Sequence, residues 1–339
     1  MGATYFFPPE DGLHEGTWLS WPHKHTYGVK YQNELEPIWV EMVRALHPGE
    51  TVHLLIYDLL EQARVAALLD ASGVDMGQVD FTLAKSNDVW VRDTGPLFVY
   101  DAHHTPTIVD FAFDGWGKKA PYQKDNAIPA TVAEAKNIPI LSVPDMVLEG
   151  GAVELDGFGT LMACKSSVIG KNRNRRLPQE QAEGYLKAYF GVSNFIWLTG
   201  VTGQDITDWH IDGIARFYNS ETLLTVSEAD FFELYEDMPA SDYEALLFAR
   251  NAQGAPYKKL ELPMTAKNVE GLDYKGSYLN YYVANKVVLA PVYHDANDAA
   301  AVQILSELYA GRTVVPIDVT ALYQYGGMLH CVTQQQPAQ

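Results

Sequence analysis

Residues 51–71, TVHLLIYDLLEQARVAALLDA, contain the two structural units from which the chain is built. Residues 51–57 are an almost continuous apolar run, which is typical of a buried strand. Residues 59–71 carry apolar side chains at helical spacing, so this stretch predicts an amphipathic helix. A buried strand followed directly by such a helix indicates an α/β fold.

The same alternation of patterns continues in modules along the chain. Residues 89–100 predict a turn that leads into a strand. Each later module predicts a helix and two strands: residues 128–135, 138–143 and 151–162; 179–190, 195–198 and 213–217; 242–249, 257–262 and 278–284; and 299–309, 313–317 and 328–333. No low-complexity linker divides the modules, so we predict one domain spanning residues 1–339.

A glycine stands near the start of the second strand in each module, at Gly95, Gly151, Gly213, Gly276 and Gly327. Successive glycines are 56, 62, 63 and 51 residues apart. Glycines at strand starts are ordinary in α/β chains. A period that recurs about five times nevertheless predicts a closed ring of αβ modules.

Composition limits the classes of function. The 339 residues are 47% hydrophobic, which is enough for a sizeable core. The net charge of −19, from 43 acidic and 24 basic residues, argues against nucleic-acid binding and mildly favours a cationic substrate. The two cysteines predict no disulfide framework. Without a signal-peptide pattern or an apolar run of 18 residues, we expect a cytoplasmic protein with no membrane contact, and homo-oligomerisation stays open.

No cofactor or metal ion is predicted. The pairs His23/His25 and His103/His104 lack the further ligands and the spacing of a zinc site. Glycine-rich motifs for phosphate or dinucleotide binding are also missing from the sequence.

Four polar residues, Asp93, Glu149, Asp212 and Cys331, lie within four residues of a module glycine. A ring would therefore bring them to its axis, together with His210, two positions before Asp212. Each has an ordinary interpretation when taken alone: a lone cysteine is usually a small buried apolar residue, and an aspartate before Thr-Gly-Pro often begins a turn.

Together these residues suit a guanidinium substrate. A guanidinium stays protonated and presents five N–H donors in a planar fork, which paired carboxylates can bind edge-on. Its central carbon is a poor electrophile, so a cysteine thiolate supported by a histidine is a plausible nucleophile. Trp90 could stack on the planar cation, and Gly327, Asp205, Asp208 and Trp209 are further candidates for substrate binding. If residues 205–212 are extended, Asp208 and Asp212 share a face with His210.

Several motifs resemble the agmatine deiminase and bacterial-type peptidylarginine deiminase family. They are residues 14–22 (HEGTWLSWP), 90–96 (WVRDTGP), 115–117 (GWG), 125–129 (DNAIP), 148–151 (LEGG), 172–174 (NRN), 210–213 (HIDG) and 326–335 (GGMLHCVTQQ). The resemblance covers nearly the whole chain, and the motifs occur in the family's order.

This resemblance implies the pentein fold, a five-bladed αβ propeller with pseudo-fivefold symmetry around the active site. It also implies metal-free hydrolysis of a guanidinium to a ureido group and ammonia. Cys331 would be the nucleophile and His210 the acid and base. Asp93 and Asp212 would hold the guanidinium, and Glu149 would orient His210 and the substrate.

Agmatine is the first substrate that the resemblance implies, although Ile206 and Trp209 depart from the agmatine-specific pattern. An arginine or peptidylarginine deiminase would need a cationic anchor for the substrate carboxylate, drawn from Arg92, Arg173, Arg175 and Arg176. An amidinotransferase and an inactive ligand-binding homologue are less favoured alternatives. The role of the basic run at residues 172–176 stays open.

Overall fold

The computed structural model describes residues 5–234 and 237–338, and it has a mixed α/β fold. The strands are β1 (Tyr5–Phe6), β2 (His14–Ser20), β3 (Thr51–Ile56), β4 (Val79–Leu83), β5 (Leu97–Asp101), β6 (Pro106–Ala112), β7 (Ile140–Val147), β8 (Val153–Leu155), β9 (Thr160–Cys164), β10 (Asn194–Leu198), β11 (Ala215–Asn219), β12 (Thr222–Thr225), β13 (Lys258–Glu261), β14 (Met264–Asn268), β15 (Lys275–Ser277), β16 (Tyr282–Val283), β17 (Val287–Val292), β18 (Thr313–Asp318) and β19 (Gln334–Pro337).

The longer helices carry the apolar stripes that pack on these sheets. They are Glu36–Leu46, Leu59–Ala71, Ile128–Lys136, Gln179–Phe190, Glu228–Leu234, Ala240–Leu247 and Asp298–Leu308. Short helical turns occupy Lys24–Tyr27, Tyr31–Glu34, Val91–Thr94, Lys165–Val168 and Thr320–Tyr323. None of the helices within the described ranges has the length and apolar character to cross a membrane.

Five of the sheets repeat one pairing pattern. In each, a central strand pairs antiparallel with one neighbour and parallel with the other: β5-β6-β7, β8-β9-β10, β11-β12-β13, β16-β17-β18 and β19-β2-β3. A helix connects the two parallel strands each time, as right-twisted parallel pairs require a crossover. The last of these sheets joins the two ends of the chain, because β19 pairs with β2.

The sequence predicts the long helices best. Helices Leu59–Ala71 and Gln179–Phe190 begin and end at the predicted residues. Residues 151–162 are wrongly predicted as one strand, because Gly157 and Gly159, both with positive φ, turn the chain between β8 and β9.

The prediction of a strand at residues 328–333 is also wrong. The segment contains a 3₁₀ turn, His330–Val332, and the strand follows at Gln334–Pro337. The hydroxyl of Thr333 donates to the carbonyl of Leu329 and stabilises this turn instead of a strand.

Candidate active site

The predicted site residues lie on short helical turns that precede strands. Asp93 is in the turn Val91–Thr94, and Glu149 directly precedes the turn Gly150–Ala152. His210 precedes Ile211–Gly213, which contains Asp212, and Cys331 is in His330–Val332.

Gly151 lies where three of these side chains converge. A Cβ atom on Gly151 would lie 2.7 Å from His210 Nδ1, 2.8 Å from Asp93 Oδ1 and 3.4 Å from Asp212 Oδ2. A side chain at this position would therefore collide with the polar groups. The glycine leaves room among two carboxylates and an imidazole.

His210 lies between two carboxylates at unequal distances from its ring. Its Nε2 lies 3.1 Å from Glu149 Oε2, and its Nδ1 lies 3.6 Å from Asp93 Oδ1. Burial alone would lower the pKa of His210, but the charges of Asp93 and Glu149 raise it to about 9. The imidazole is therefore charged at neutral pH and can donate a proton.

Asp93 receives two further hydrogen bonds. The backbone N–H of Gly151 donates to Oδ1 at 3.0 Å, and the indole of Trp116 donates to Oδ2 at 2.9 Å. Trp116 belongs to Gly115–Lys118, a left-handed turn in which all four residues have positive φ, between 56° and 82°. Such a conformation costs roughly 1–2 kcal/mol for each non-glycine residue, and here it directs the buried indole to Asp93.

Asp212 is held by hydrogen bonds to Oδ2, the oxygen that also lies near Gly151. Its Oδ2 lies 2.7 Å from His330 Nδ1 and accepts from the side-chain amide of Asn280 at 3.2 Å. Burial would raise the pKa of Asp212, but the hydrogen bond and charge of His330 hold it below its ordinary value. For Asp93, burial and the nearby charge of Glu149 raise the pKa despite the opposing charge of His210. The two carboxylates of the site thus differ in how readily they stay ionised.

Cys331 lies beside Asn280 and the two aspartates. Its thiol donates to Asn280 Oδ1 at 3.4 Å. Burial raises the pKa of the Cys331 thiol well above its ordinary value, and the charges of Asp212 and Asp93 raise it further. These surroundings therefore favour a neutral thiol, and a bound cation would lower that pKa.

Asn280 is a site residue that the sequence did not predict but could have indicated. It lies four positions after Gly276, as Cys331 lies four positions after Gly327, so the module repeat itself contained the signal. With Asn280 included, every one of the five modules contributes a polar residue to this cluster.

The basic run at residues 172–176 is partly buried scaffold. Arg173 is 1% exposed; its Nε donates to Glu149 at 2.6 Å and its Nη1 to Asp208 at 2.9 Å. The side chain of Asn174 holds the backbone of Val147, two residues before Glu149. This stretch thus fixes the carboxylate that faces His210.

The predicted substrate-binding residues near His210 lie in different environments. Asp208 is fully buried and pairs with Arg173 and with Lys119, whose Nζ is 2.8 Å away. Asp205 is exposed and accepts from the Thr207 hydroxyl and the Trp209 backbone N–H. The expectation of an extended segment is wrong, because Asp208 and Trp209 have φ of 59° and 68°.

Trp90 and Gly327 are in contact at the site. A Cβ atom on Gly327 would lie 2.4 Å from Trp90 Cζ3, so only glycine allows the indole ring to approach this backbone. Within the described part of the chain, no group of three or more His, Cys, Asp and Glu side chains is arranged to hold a metal ion.

Fold and site together define an α/β protein with a cysteine and a charged histidine among buried carboxylates. Residues 6–337 match the family model described as Porphyromonas-type peptidyl-arginine deiminase. The match extends over nearly the whole chain, and the protein belongs to this family.

Three relatives illustrate the similarity. A Streptomyces coelicolor protein named "Putative agmatine deiminase" is 32% identical over 98% of this chain and 99% of its own. A Porphyromonas gingivalis structure described as a "Putative Arginine Deiminase" is 32% identical, with a TM-score of 0.87 and 98% of each chain covered. A cysteine-to-serine variant of C. jejuni agmatine deiminase, solved with substrate bound, is 25% identical, with a TM-score of 0.85 over 98% of this chain and 96% of that chain.

Proposed function

We propose that the protein is a deiminase that hydrolyses agmatine to N-carbamoylputrescine and ammonia. The observation that carries the proposal is the convergence of His210, Asp93 and Asp212 around Gly151, with Cys331 joined to Asp212 through Asn280. Two buried carboxylates and an adjacent thiol match a planar cation that must be bound edge-on and attacked at carbon.

In the proposed binding step, Asp93 and Asp212 accept hydrogen bonds from the guanidinium N–H groups, and Trp90 lies against its plane. The added positive charge lowers the pKa of the Cys331 thiol, which Asp212 and Asp93 otherwise raise. Substrate binding thus favours the thiolate, and the thiol proton is released to solvent because His210 already carries one.

In the first chemical step, the Cys331 thiolate forms a bond to the guanidinium carbon. The imidazolium of His210 then gives its proton to one amino group, the C–N bond breaks, and ammonia leaves. An amidino thioether cation remains on Cys331. Glu149 stabilises the imidazolium through Nε2 and is itself held by Arg173.

In the second step, neutral His210 takes a proton from water, and the resulting hydroxide adds to the same carbon. The C–S bond then breaks and the hydroxyl proton passes to the departing sulfur, so the neutral ureido product leaves and Cys331 is again a free thiol. Positioning the reacting atoms at about 3–3.5 Å supplies a large part of the rate enhancement in such reactions.

Three of the basic residues, Arg173, Arg92 and Lys119, have partners within the protein, which favours an amine tail over a carboxylate tail. Arg173 is paired with Glu149 and Asp208, and Arg92 donates to Gln335 and lies 3.6 Å from Glu10. The three N–H bonds of Lys119 have three acceptors: Asp208 and the carbonyls of Asp205 and Ile206. The exposed carboxylate of Asp205 is the proposed acceptor for the agmatine amine.

The proposal includes the finer architecture. Five sheets with the same pairing pattern, and an N-terminal strand paired with the C-terminal one, support a five-bladed propeller with pseudo-fivefold symmetry. Among the described residues the buried apolar side chains form three clusters, and one of them draws on residues from Leu19 to Val332, which supports a single catalytic domain.

An ammonia-release assay tests the substrate. Agmatine, free arginine and a peptide ending in arginine are compared side by side with the same enzyme. We expect kcat/KM for agmatine to exceed that for arginine at least about tenfold, a difference of about 1.4 kcal/mol. Equal or reversed values of kcat/KM would assign the enzyme to the arginine or peptidylarginine deiminases. A lack of ammonia release from all three substrates would refute deimination.

A further inference from the structure

His330, the residue before Cys331, is a buried titratable group that the reaction scheme does not use. It is 1% exposed, and both ring nitrogens face carboxylates: Nδ1 lies 2.7 Å from Asp212 Oδ2 and Nε2 lies 2.7 Å from Glu10 Oε2. A neutral imidazole has one N–H donor, whereas two carboxylate acceptors at hydrogen-bond distance require two. Both ring nitrogens of His330 therefore face acceptors.

We propose that His330 is a positioning residue that, as an imidazolium, holds Asp212 ionised and oriented toward the guanidinium. This role rests on the proposed function insofar as Asp212 binds that group. With Oδ2 occupied by His330 and Asn280, the other carboxylate oxygen is the one left for substrate. The low pKa of Asp212 agrees with this arrangement, because His330 opposes the effect of burial.

Glu10 holds the second ring nitrogen of His330 and is itself near two arginines. Its Oε2 also lies 3.0 Å from Arg216 Nη2 and 3.6 Å from Arg92 Nη2. The charges therefore alternate along the series Asp212, His330, Glu10, Arg216. Such a series fixes each member between opposite charges, so His330 cannot turn away from Asp212 without leaving Glu10 without one of its partners.

The backbone around His330 is held independently of its ring. Asn280 Oδ1 accepts from the His330 N–H at 3.0 Å, and Arg92 Nε donates to the His330 carbonyl at 3.3 Å. A substitution of the imidazole should therefore leave the turn that carries Cys331 in place. The predicted consequence is weaker substrate binding through Asp212 rather than a displaced nucleophile.

A double-mutant cycle measures this coupling. Calorimetry determines the affinity for agmatine, and for arginine in parallel, in a Cys331→Ser background where no turnover occurs. His330→Gln offers one amide donor and turns an oxygen toward the second carboxylate, so we expect about tenfold weaker binding. In an Asp212→Asn background the same substitution should change binding less than about twofold. An unchanged affinity in His330→Gln, or multiplicative effects in the double variant, would overturn the proposal.

His53 offers a matched control. Its ring nitrogens also lie 2.7 Å from two carboxylates, Asp80 and Glu15, but it belongs to β3 and contacts none of the site residues named above. His53→Gln should leave agmatine affinity unchanged. A similar loss of agmatine affinity in both histidine variants would indicate general destabilisation and contradict a role specific to His330.

Nitrogen-15 NMR of histidine-labelled, unsubstituted protein gives a second measurement if His330→Gln fails to fold. Protons on both ring nitrogens of His330 at pH 7.5 are expected, and a neutral tautomer would overturn the proposal. This signal does not depend on the reaction. Absence of ammonia release by the intact enzyme would therefore refute the proposed function and leave the His330 result to be judged separately.

Discussion

Two histidines of the candidate site, His330 and His210, lie between pairs of carboxylates and differ in how tightly they are held. His330 has both nitrogens at 2.7 Å from its partners, Asp212 and Glu10. His210 has looser contacts, at 3.1 Å to Glu149 and 3.6 Å to Asp93. The looser ring faces Gly151, where no side chain fills the space.

This difference agrees with the two roles proposed above, proton transfer for His210 and a fixed charge for His330. If a ring with two short charge-assisted hydrogen bonds gives up a proton, it loses one of these bonds and turns a bare nitrogen toward a carboxylate. The Nδ1 of His210 is at a longer distance from Asp93 and can serve a substrate. The same residue type and the same charge pattern thus support two roles, and contact length decides between them.

The largest expected effect comes from replacing His210. His210→Gln removes the acid that protonates departing ammonia, so kcat should fall about a thousandfold with little change in KM. His330→Gln should mainly raise KM. Steady-state ammonia release from both variants measures the contrast, and equal losses of kcat would contradict the assignment of different roles.

Glu149→Gln should change the pH dependence of the reaction. The imidazolium of His210 is the reactive acid, so kcat should be full at lower pH and fall as pH rises through its pKa of about 9. Removing the Glu149 charge should move this fall to lower pH by about one unit. Glu183 is half-buried and accepts a hydrogen bond from the indole of Trp197. Glu183→Gln is therefore a control, and its pH profile should not move.

The raised pKa of His210 also makes the stability of the protein depend on pH. Since the pKa of His210 is raised from 6.5 to about 9, its contribution to the free energy of unfolding is fully present below pH 6.5 and is lost as pH rises through about 9. Chemical denaturation of wild type and Glu149→Gln across this range should show a smaller loss in the variant. A loss of stability of equal size in both proteins would show that a group other than His210 causes the pH dependence.

The smallest effect is expected at Trp116. Trp116→Phe removes the indole donor to Asp93 and should raise KM up to about tenfold, because a hydrogen bond to a charged acceptor contributes roughly 1.5 kcal/mol or more. Trp197→Phe removes the same type of bond, to Glu183, away from the site. Identical kinetics of the two variants would argue against a role for Trp116 in holding Asp93.

The sequence predicted what depends on local pattern. Long helices such as Leu59–Ala71 have many apolar positions in register, so their ends are well determined. The module glycines indicated Asp93, Glu149, Asp212 and Cys331, since a repeat places equivalent positions together. Asn280 could have been found by the same rule.

Residues that act through distant contacts could not be predicted in this way. Glu10 meets His330 across 320 positions of sequence, and Trp116 reaches Asp93 through a left-handed turn that its own sequence pattern did not predict. Arg173 was considered as a substrate anchor, but burial gives it Glu149 and Asp208 as partners. Such assignments depend on tertiary structure, which a periodic pattern does not contain.

Covalent catalysis by Cys331 is the central claim, and mass spectrometry of the enzyme quenched during turnover of agmatine tests it most directly. Substrate-derived mass is expected on the peptide that contains Cys331. In Cys331→Ser we expect no such adduct and at least about a ten-thousandfold lower kcat, with the fold retained. Turnover at the wild-type rate in the serine variant, or an adduct on any other residue, would contradict it.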